Sequence, residues 1–298
     1  ERQLRAESGV IKIGCGQITW RGVPESQVLD DIARAGYAGS PPRLNIDRSA
    51  ADTVSFYQQY GLEPAPCYFS APFWRADQCD NIVEAANRAA RFVRDIGCTE
   101  MYVAAAGDYT ARNGRSRRDA SGHVKPDDSL THEEWRTFAD TLNAVAAASL
   151  REGVSACFHN HVGTVIEVED EVERLLEMTD PEMVFLGPDT GHLAWAGVDV
   201  LDFCRRYLGR IKTMHLKDID GSVRARGADA QWSYTEFVDH GIFVELGEGC
   251  VDFRSILSML AMLGGFTGWL IVETDVTQKP SAFESARVSR AYLHGLGV

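Results

Sequence analysis

The chain has 298 residues, 45% of them hydrophobic and 24% charged, a composition that excludes disordered, collagen-like and disulfide-stapled classes. Forty-three acidic residues against 30 basic ones leave a formal charge of -13, which argues against nucleic acid, because phosphate binding needs a concentrated basic face. No apolar run approaches the length of about 18 residues that a bilayer span needs, and no membrane partner is expected.

Short apolar segments alternate with longer amphipathic ones along the chain. The first residues, ERQLRAESG (1–9), read as a charged N-terminal extension with no signal-peptide pattern. VIKIGCG (10–16) reads as a buried strand, and ESQVLDDIARAG (25–36) as a helix that stops at Gly36. A weaker strand is expected near 37–46, and LEPAPCYFS (62–70) resembles a strand broken by prolines. QCDNIVEAANRAARFVRDI (78–96) predicts a helix ended by Gly97, and EMYVAAAG (100–107) a strand. The helix expected over 131–153 opens with Thr131 and Glu134 at capping-box spacing. Further strands are expected at 154–160, 183–189, 210–216 and 269–274, and helices at 169–178, 199–207, 253–264 and 281–295.

About eight strands in strand–helix order argue for a parallel sheet, since parallel neighbours need a crossover connection. At this length the pattern favours a single-domain α/β fold, a closed (β/α)8 TIM barrel near its typical size of about 250 residues. A dinucleotide-binding sheet loses its main support, because no G-x-G-x-x-G follows the first strand. Residues 107–130 and 218–250 are too long for ordinary loops and read as insertions that cover the site or form an oligomer contact. The basic cluster ARNGRSRR (111–118) reads as a solvated loop. Seven scattered cysteines with no CxxC pair point to a reducing compartment, and the expectation is a cytoplasmic protein.

In a barrel of this kind, chemistry sits where strands end at the carboxyl face. Strand ends deliver His159 and His161, then Asp189 with His192, then His215 with Lys217 and Asp218, and finally Glu273. Charged and imidazole groups gathered at one mouth would repel one another and shift their pKa values unless a cation neutralised them. One imidazole with three carboxylates suits a divalent ion of intermediate hardness, Mn²⁺ first and then Mg²⁺, Co²⁺ or Zn²⁺. Strand alternation turns His215 inward with Lys217 on the same side. Lys217 is read either as a working ammonium or as a salt-bridge partner of Asp218 or Glu245. Trp20, Trp195 and Trp232 are read as packing residues or as faces for a sugar ring.

The segments FHNHVGTVIE, DTGHLAWAG, RIKTMHLKD, ELGEGCVDF and GWLIVE together resemble the inosose dehydratase (2-keto-myo-inositol dehydratase) group of the xylose isomerase-like barrel superfamily, which also holds the AP endonuclease family 2 proteins. The resemblance implies a metal-dependent lyase that dehydrates a keto-cyclitol through a metal-stabilised enediolate, or a ketose isomerase or epimerase with the same metal site. It implies metal ligands at Asp189, His215 and Glu273. The remaining ligand is open: epimerases of the superfamily carry Glu where His159 stands, so either His159 ligates or Glu167 reaches back from the following loop, and the ligand charge favours Glu167. His159 and His161 are then candidate general bases, and Lys217 and His192 candidate general acids. The expected partner is a small keto-sugar or keto-cyclitol. Abasic-site cleavage is not expected, because no histidine precedes His123 and HLKD leads into no compact Asp-x-His. The sequence also departs from the group at Ser40-Pro41-Pro42, where an acidic residue is common.

Overall fold

The structure is a computed structural model that describes residues 11–263 and 266–298; the expected extension 1–9 lies outside the described residues. Eight parallel staves close a barrel among the described residues. They are β1 (Ile11–Cys15), β2 (Gly39–Ser40), the run β3 (Glu63–Pro64) to β4 (Tyr68–Ala71), β5 (Glu100–Ala105), β6 (Ser155–His159), β7 (Val184–Leu186), β8 (Met214–Leu216) and β11 (Gly268–Val272). One sheet runs β3-β2-β1-β11-β8 and the other β4-β5-β6-β7. The chain from Glu63 to Ala71 belongs to both, and parallel bridges Leu186 to Ile211 and Asp189 to His215 close the other seam.

Several expected strands are shorter than their apolar pattern: 183–189 is a strand only at Val184–Leu186 and 210–216 only at Met214–Leu216, and prolines account for two more. The strand expected over 37–46 pairs only at Gly39–Ser40, because Pro41 and Pro42 offer no N–H to a ladder. Pro64 and Pro66 likewise split 62–70 into β3 and β4. The helices packed outside are α1 (Glu25–Arg34), α2 (Ala50–Gln58), α3 (Cys79–Asp95), α4 (His132–Arg151), α5 (Glu169–Met178), α6 (Thr190–Trp195), α7 (Val200–Arg206), α10 (Phe253–Leu263) and α11 (Ala282–Gly295). The expected capping box opens α4: Thr131 Oγ1 accepts from Glu134 N, and Glu134 Oε2 accepts from Thr131 N.

Strand alternation splits the interior into two layers. Met101, Val103, Ala156, Phe158, Met214, Leu216, Leu270 and Val272 face outward into the main core beneath the helices. Their neighbours in sequence face the barrel axis, where Ala65, Tyr102, Trp269 and Ile271 form a separate plug. Tyr102 Oη is 2.6 Å from Thr213 Oγ1, so the tyrosine hydroxyl of this plug is satisfied. His159, His215, Lys217 and Glu273 continue the same inward rows above the plug. The plug is thus the floor of the site.

Residues 218–250 are more than a loop. They hold β9 (Asp218–Ile219), α8 (Gly221–Ala230), α9 (Tyr234–Asp239) and β10 (Phe243–Val244), with β9 and β10 antiparallel. Val162, Trp195, Ile219, Val223, Phe237, Ile242 and Phe243 give this insertion a small core of its own. The basic cluster at 111–118 is not a solvated loop throughout: Arg117 is buried and grips Glu171 with two hydrogen bonds of 2.6 and 2.9 Å.

Replacing Trp269 with Ala would open a cavity at the centre of the plug. The expected loss is about 3–5 kcal/mol of stability, read as a lower urea midpoint at unchanged slope. Loss below about 1 kcal/mol would mean that this plug does not support the barrel.

Candidate active site

Four strand ends meet above the plug. His159, the last residue of β6, donates from Nδ1 to the Gly187 carbonyl at 3.1 Å, which leaves the Nε2 lone pair 3.9 Å from Asp189 Oδ2. Burial, reinforced by the neighbouring His215 and His161, holds His159 well below the usual imidazole pKa. A neutral imidazole with one nitrogen anchored is the form that binds a metal.

Asp189 is fully buried and has two distinct oxygens. Oδ1 accepts from His192 N at 2.9 Å and so caps α6. Oδ2 is buried without a hydrogen-bond partner, 3.1 Å from Lys217 Nζ and 3.8 Å from His215 Nδ1. Asn160 aligns this end of β7, because its Oδ1 accepts from Asp189 N and its Nδ2 donates to Asp189 O. Both nitrogens of His215 are also buried without a partner in line, although Glu273 Oε2 lies 3.1 Å from Nδ1. Burial would raise the Glu273 pKa, but His215 and Lys217 outweigh it and keep the carboxylate ionised. Gly16 makes room for this side chain, since a Cβ there would sit 2.3 Å from Glu273 Oε1.

The donor atoms of His159, Asp189 and His215 lie within 4.8 Å of one another. Unpartnered buried acceptors on Asp189 and His215, with Glu273 beside them, are the chemistry of a cation site. These residues fit a divalent metal. The donor set is two imidazoles with two carboxylates.

Glu167 is not part of this cluster, and the ligand expectation for it is corrected. Its Oε1 accepts from Gly122 N and its Oε2 from Gly163 N, each at 2.7 Å. Both oxygens are thereby turned to the backbone of two loops. Of the two alternatives for the remaining ligand, it is His159 that lies with Asp189 and His215.

A second group lies beside the first. His161, His192 and Asp275 also offer atoms within 4.8 Å of one another, but a cation already stands there. Lys217 Nζ is 2.6 Å from Asp275 Oδ1 and 3.3 Å from His192 Nε2. Burial alone would lower the Lys217 pKa; Asp189, Asp275 and Glu273 reverse that and hold the ammonium charged. The expected pairing of Lys217 with Asp218 or Glu245 is not seen. Asp218 instead accepts four backbone N–H groups, from Ile219, Gly247, Gly249 and Val251, and Glu245 lies 3.8 Å from Lys279. Sequence reading missed Asp275, although it continues the inward row of Trp269, Ile271 and Glu273.

Members of both groups, His159 of the first and His161 and Asp275 of the second, line a cleft of about 860 Å³, within the range of small-molecule sites. His159, His161, Lys217, Glu273 and Asp275 form one wall, and the opposite wall comes from 16–22, 41–45 and 68–70. Trp20 belongs to that second wall. Trp195 is buried behind His192 at 6.0 Å, and Trp232 stacks on His240, so neither lines the cleft. His161 donates from Nδ1 to the Val162 carbonyl at 2.7 Å, and burial lowers its pKa. Its Nε2 lone pair is free to accept a proton. His192 lies behind His161 with ring centroids 3.7 Å apart.

The family model described as xylose isomerase-like TIM barrel matches residues 29–292. The rhizopine catabolism protein MocC of Rhizobium meliloti is 34% identical over 274 residues, covering 89% of this chain and 82% of its own. The inosose dehydratase of Geobacillus kaustophilus is 28% identical over 297 residues, covering 96% and 94%. Among solved structures, IOLI protein with a binding zinc atom superposes with a TM-score of 0.71 at 15% identity, covering 96% of this chain and 97% of its own. L-ribulose 3-epimerase gives a TM-score of 0.69 at 18% identity, covering 96% and 94%. With the barrel, the strand-end cluster and a match across nearly its whole length, the chain belongs to the xylose isomerase-like TIM barrel family.

Proposed function

We propose that this enzyme is a divalent-metal-dependent lyase that removes water from a keto-cyclitol such as 2-keto-myo-inositol. The observation that carries this reading is the pair of adjoining groups in one cleft, an electron-rich set of donors beside a charged lysine and a neutral histidine. His159, Asp189, His215 and Glu273 would hold the metal. When bound, the metal supplies electrophilic polarisation of the substrate ketone. Two imidazoles in the donor set, rather than one, bring Zn²⁺ level with Mn²⁺. The inosose dehydratase relatives support the substrate class, and the zinc in the IOLI structure supports the metal.

The protein's own groups then divide the proton work. His161 Nε2 accepts the proton from the carbon next to the ketone. The electron pair of that C–H bond forms the new C=C bond as the β-carbon loses its hydroxyl. The Lys217 ammonium gives that hydroxyl a proton, so it departs as water. His192 lies beside it, with Nε2 3.3 Å from Lys217 Nζ. The apolar wall that includes Trp20, Pro42 and Phe69 shields the reacting face from water. An isomerase or epimerase would use the same acid and base and return the proton to carbon or oxygen; the L-ribulose 3-epimerase neighbour keeps this second reading in play.

Incubation with Mn²⁺ or Zn²⁺ and 2-keto-myo-inositol is expected to give ultraviolet absorbance from an enone-type product. Turnover of free ketoses without that absorbance would make the enzyme an isomerase. His161→Gln is expected to lower kcat by about 10²–10⁴-fold, the usual worth of a general base. Glu273→Gln is expected to lose stoichiometric metal in elemental analysis; unchanged metal content would remove the proposed site.

A further inference from the structure

His161 is only as well placed as the loop that carries it. That loop, 160–167, folds back on itself: His161 N donates to the Ile166 carbonyl at 3.4 Å, and Thr164 donates to the His161 carbonyl from both N and Oγ1. Val162 N then donates to His192 Nδ1 at 3.3 Å. The ring of His161 lies against Tyr234 at 6.2 Å, nearly parallel. Asn160 and Val162 tie the start of the loop to Asp189 and His192, and Glu167 ties its far end to the 107–130 insertion.

Its carboxylate is 1% exposed and spans two separate pieces of chain. Oε2 takes the N–H of Gly163, two residues after His161, while Oε1 takes the N–H of Gly122 in the 107–130 insertion. That insertion is itself stitched to the later one. Arg118 O accepts from Tyr234 N at 2.8 Å, the Arg118 guanidinium lies 3.9 Å over the Tyr234 ring, and His123 Nε2 lies 2.9 Å from the Trp232 carbonyl. Gly122 packs so tightly that a Cβ there would lie 2.9 Å from Trp195 Nε1. Buried Arg117 offsets the charge, 3.9 Å from Glu167 and clamped to Glu171, whose Oε2 also accepts from Glu167 N at 2.9 Å. A carboxylate suits this place because both of its oxygens accept, whereas an amide would set one N–H₂ against a glycine N–H.

We infer that Glu167 is a positioning residue for His161: it bridges the Gly122 and Gly163 amides and so locks the His161 loop to both insertions. The inference rests on the reading of His161 as the proton acceptor and assigns Glu167 no contact with metal or substrate. Misplacing a catalytic group by about 1 Å costs roughly a hundredfold in rate, so the bridge acts on kcat and leaves KM nearly alone.

The test compares Glu167→Gln, Glu167→Asp and His161→Gln with the unmodified enzyme. In Glu167→Gln, kcat on 2-keto-myo-inositol is expected to fall about tenfold to a hundredfold with KM within about twofold. Bound metal stays stoichiometric. One of the two glycine amide protons loses its hydrogen-exchange protection, and the single-tautomer ¹⁵N signal of the His161 ring broadens or moves. Glu167→Asp keeps the charge beside Arg117 on a shorter arm and recovers part of the loss; it also serves where the Gln variant does not fold. Loss of metal from either variant would return Glu167 to the ligand set and overturn the inference. So would an unchanged His161 signal with unprotected glycine amides, since the bridge would then be only structural. The ring and amide signals decide the matter even for an enzyme that does not turn over this substrate. Full activity in His161→Gln would instead defeat the acid–base reading and leave the bridge standing.

Discussion

Charge balance in a dry barrel mouth is the constraint on which the site depends. Asp189, Asp275 and Lys217 are all at least 95% buried, and an uncompensated charge at such depth costs several kcal/mol or forces its own neutralisation. Lys217 touches Asp189, Glu273 and Asp275 at 3.1, 3.5 and 2.6 Å. Three carboxylates against one ammonium leave two negative charges, and the nearby imidazoles of His159 and His192 are held neutral by burial. A single divalent cation would close that balance.

The backbone around the mouth is arranged so that these charges can approach. Gly16 admits Glu273, and Gly191 lies so close to Lys217 that a Cβ there would sit 2.7 Å from its Cγ. Asp218, next in sequence to Lys217, is kept out of the cluster by four backbone donors that tie the start of the later insertion to the turn at 247–251. Oxygen acceptors that would add to the negative charge are thereby spent on backbone N–H groups. The same device is used at Glu167. Both acids lie near the site in sequence, and both are withdrawn from it by peptide donors.

Much of the barrel and part of the site were legible in the sequence, for a specific reason. Where a strand is buried, alternation decides which face a residue takes, so His215 with Lys217, and Glu273, could be assigned to the interior from MHLKD and LIVETD. Asp275 sits in register with Glu273 and was readable by the same rule, had the row been followed one step past the strand end. Asp189 also caps the short helix Thr190–Trp195, which was not among the expected elements. What could not be read is contact across insertions. Nothing in FHNHVGTVIE reveals that the backbone of Gly122, 45 residues upstream of Glu167, passes behind the loop. Nor does ARNGRSRR reveal that one of its arginines is buried on Glu171.

The misplacement of Glu167 also shows how a charge argument can run the wrong way when one partner is missing. The preference for Glu167 rests on keeping the ligand charge that the family resemblance implies, with a neutral His159 at the strand end. Asp275 and Lys217 change the count. They form an ion pair beside the proposed metal site that is neutral by itself, which would leave Asp189 and Glu273 to match a divalent cation. A third ionised carboxylate brought in from Glu167 would raise the uncompensated charge in the same buried volume. It would also strip Gly122 and Gly163 of their acceptors, leaving two N–H groups unpaired at a cost of about 1–3 kcal/mol each where buried. In the proposed site the imidazole at 159 is therefore not a defect that another residue must repair; with a lysine at 217, a neutral ligand at that strand end would suit the charge balance of the mouth.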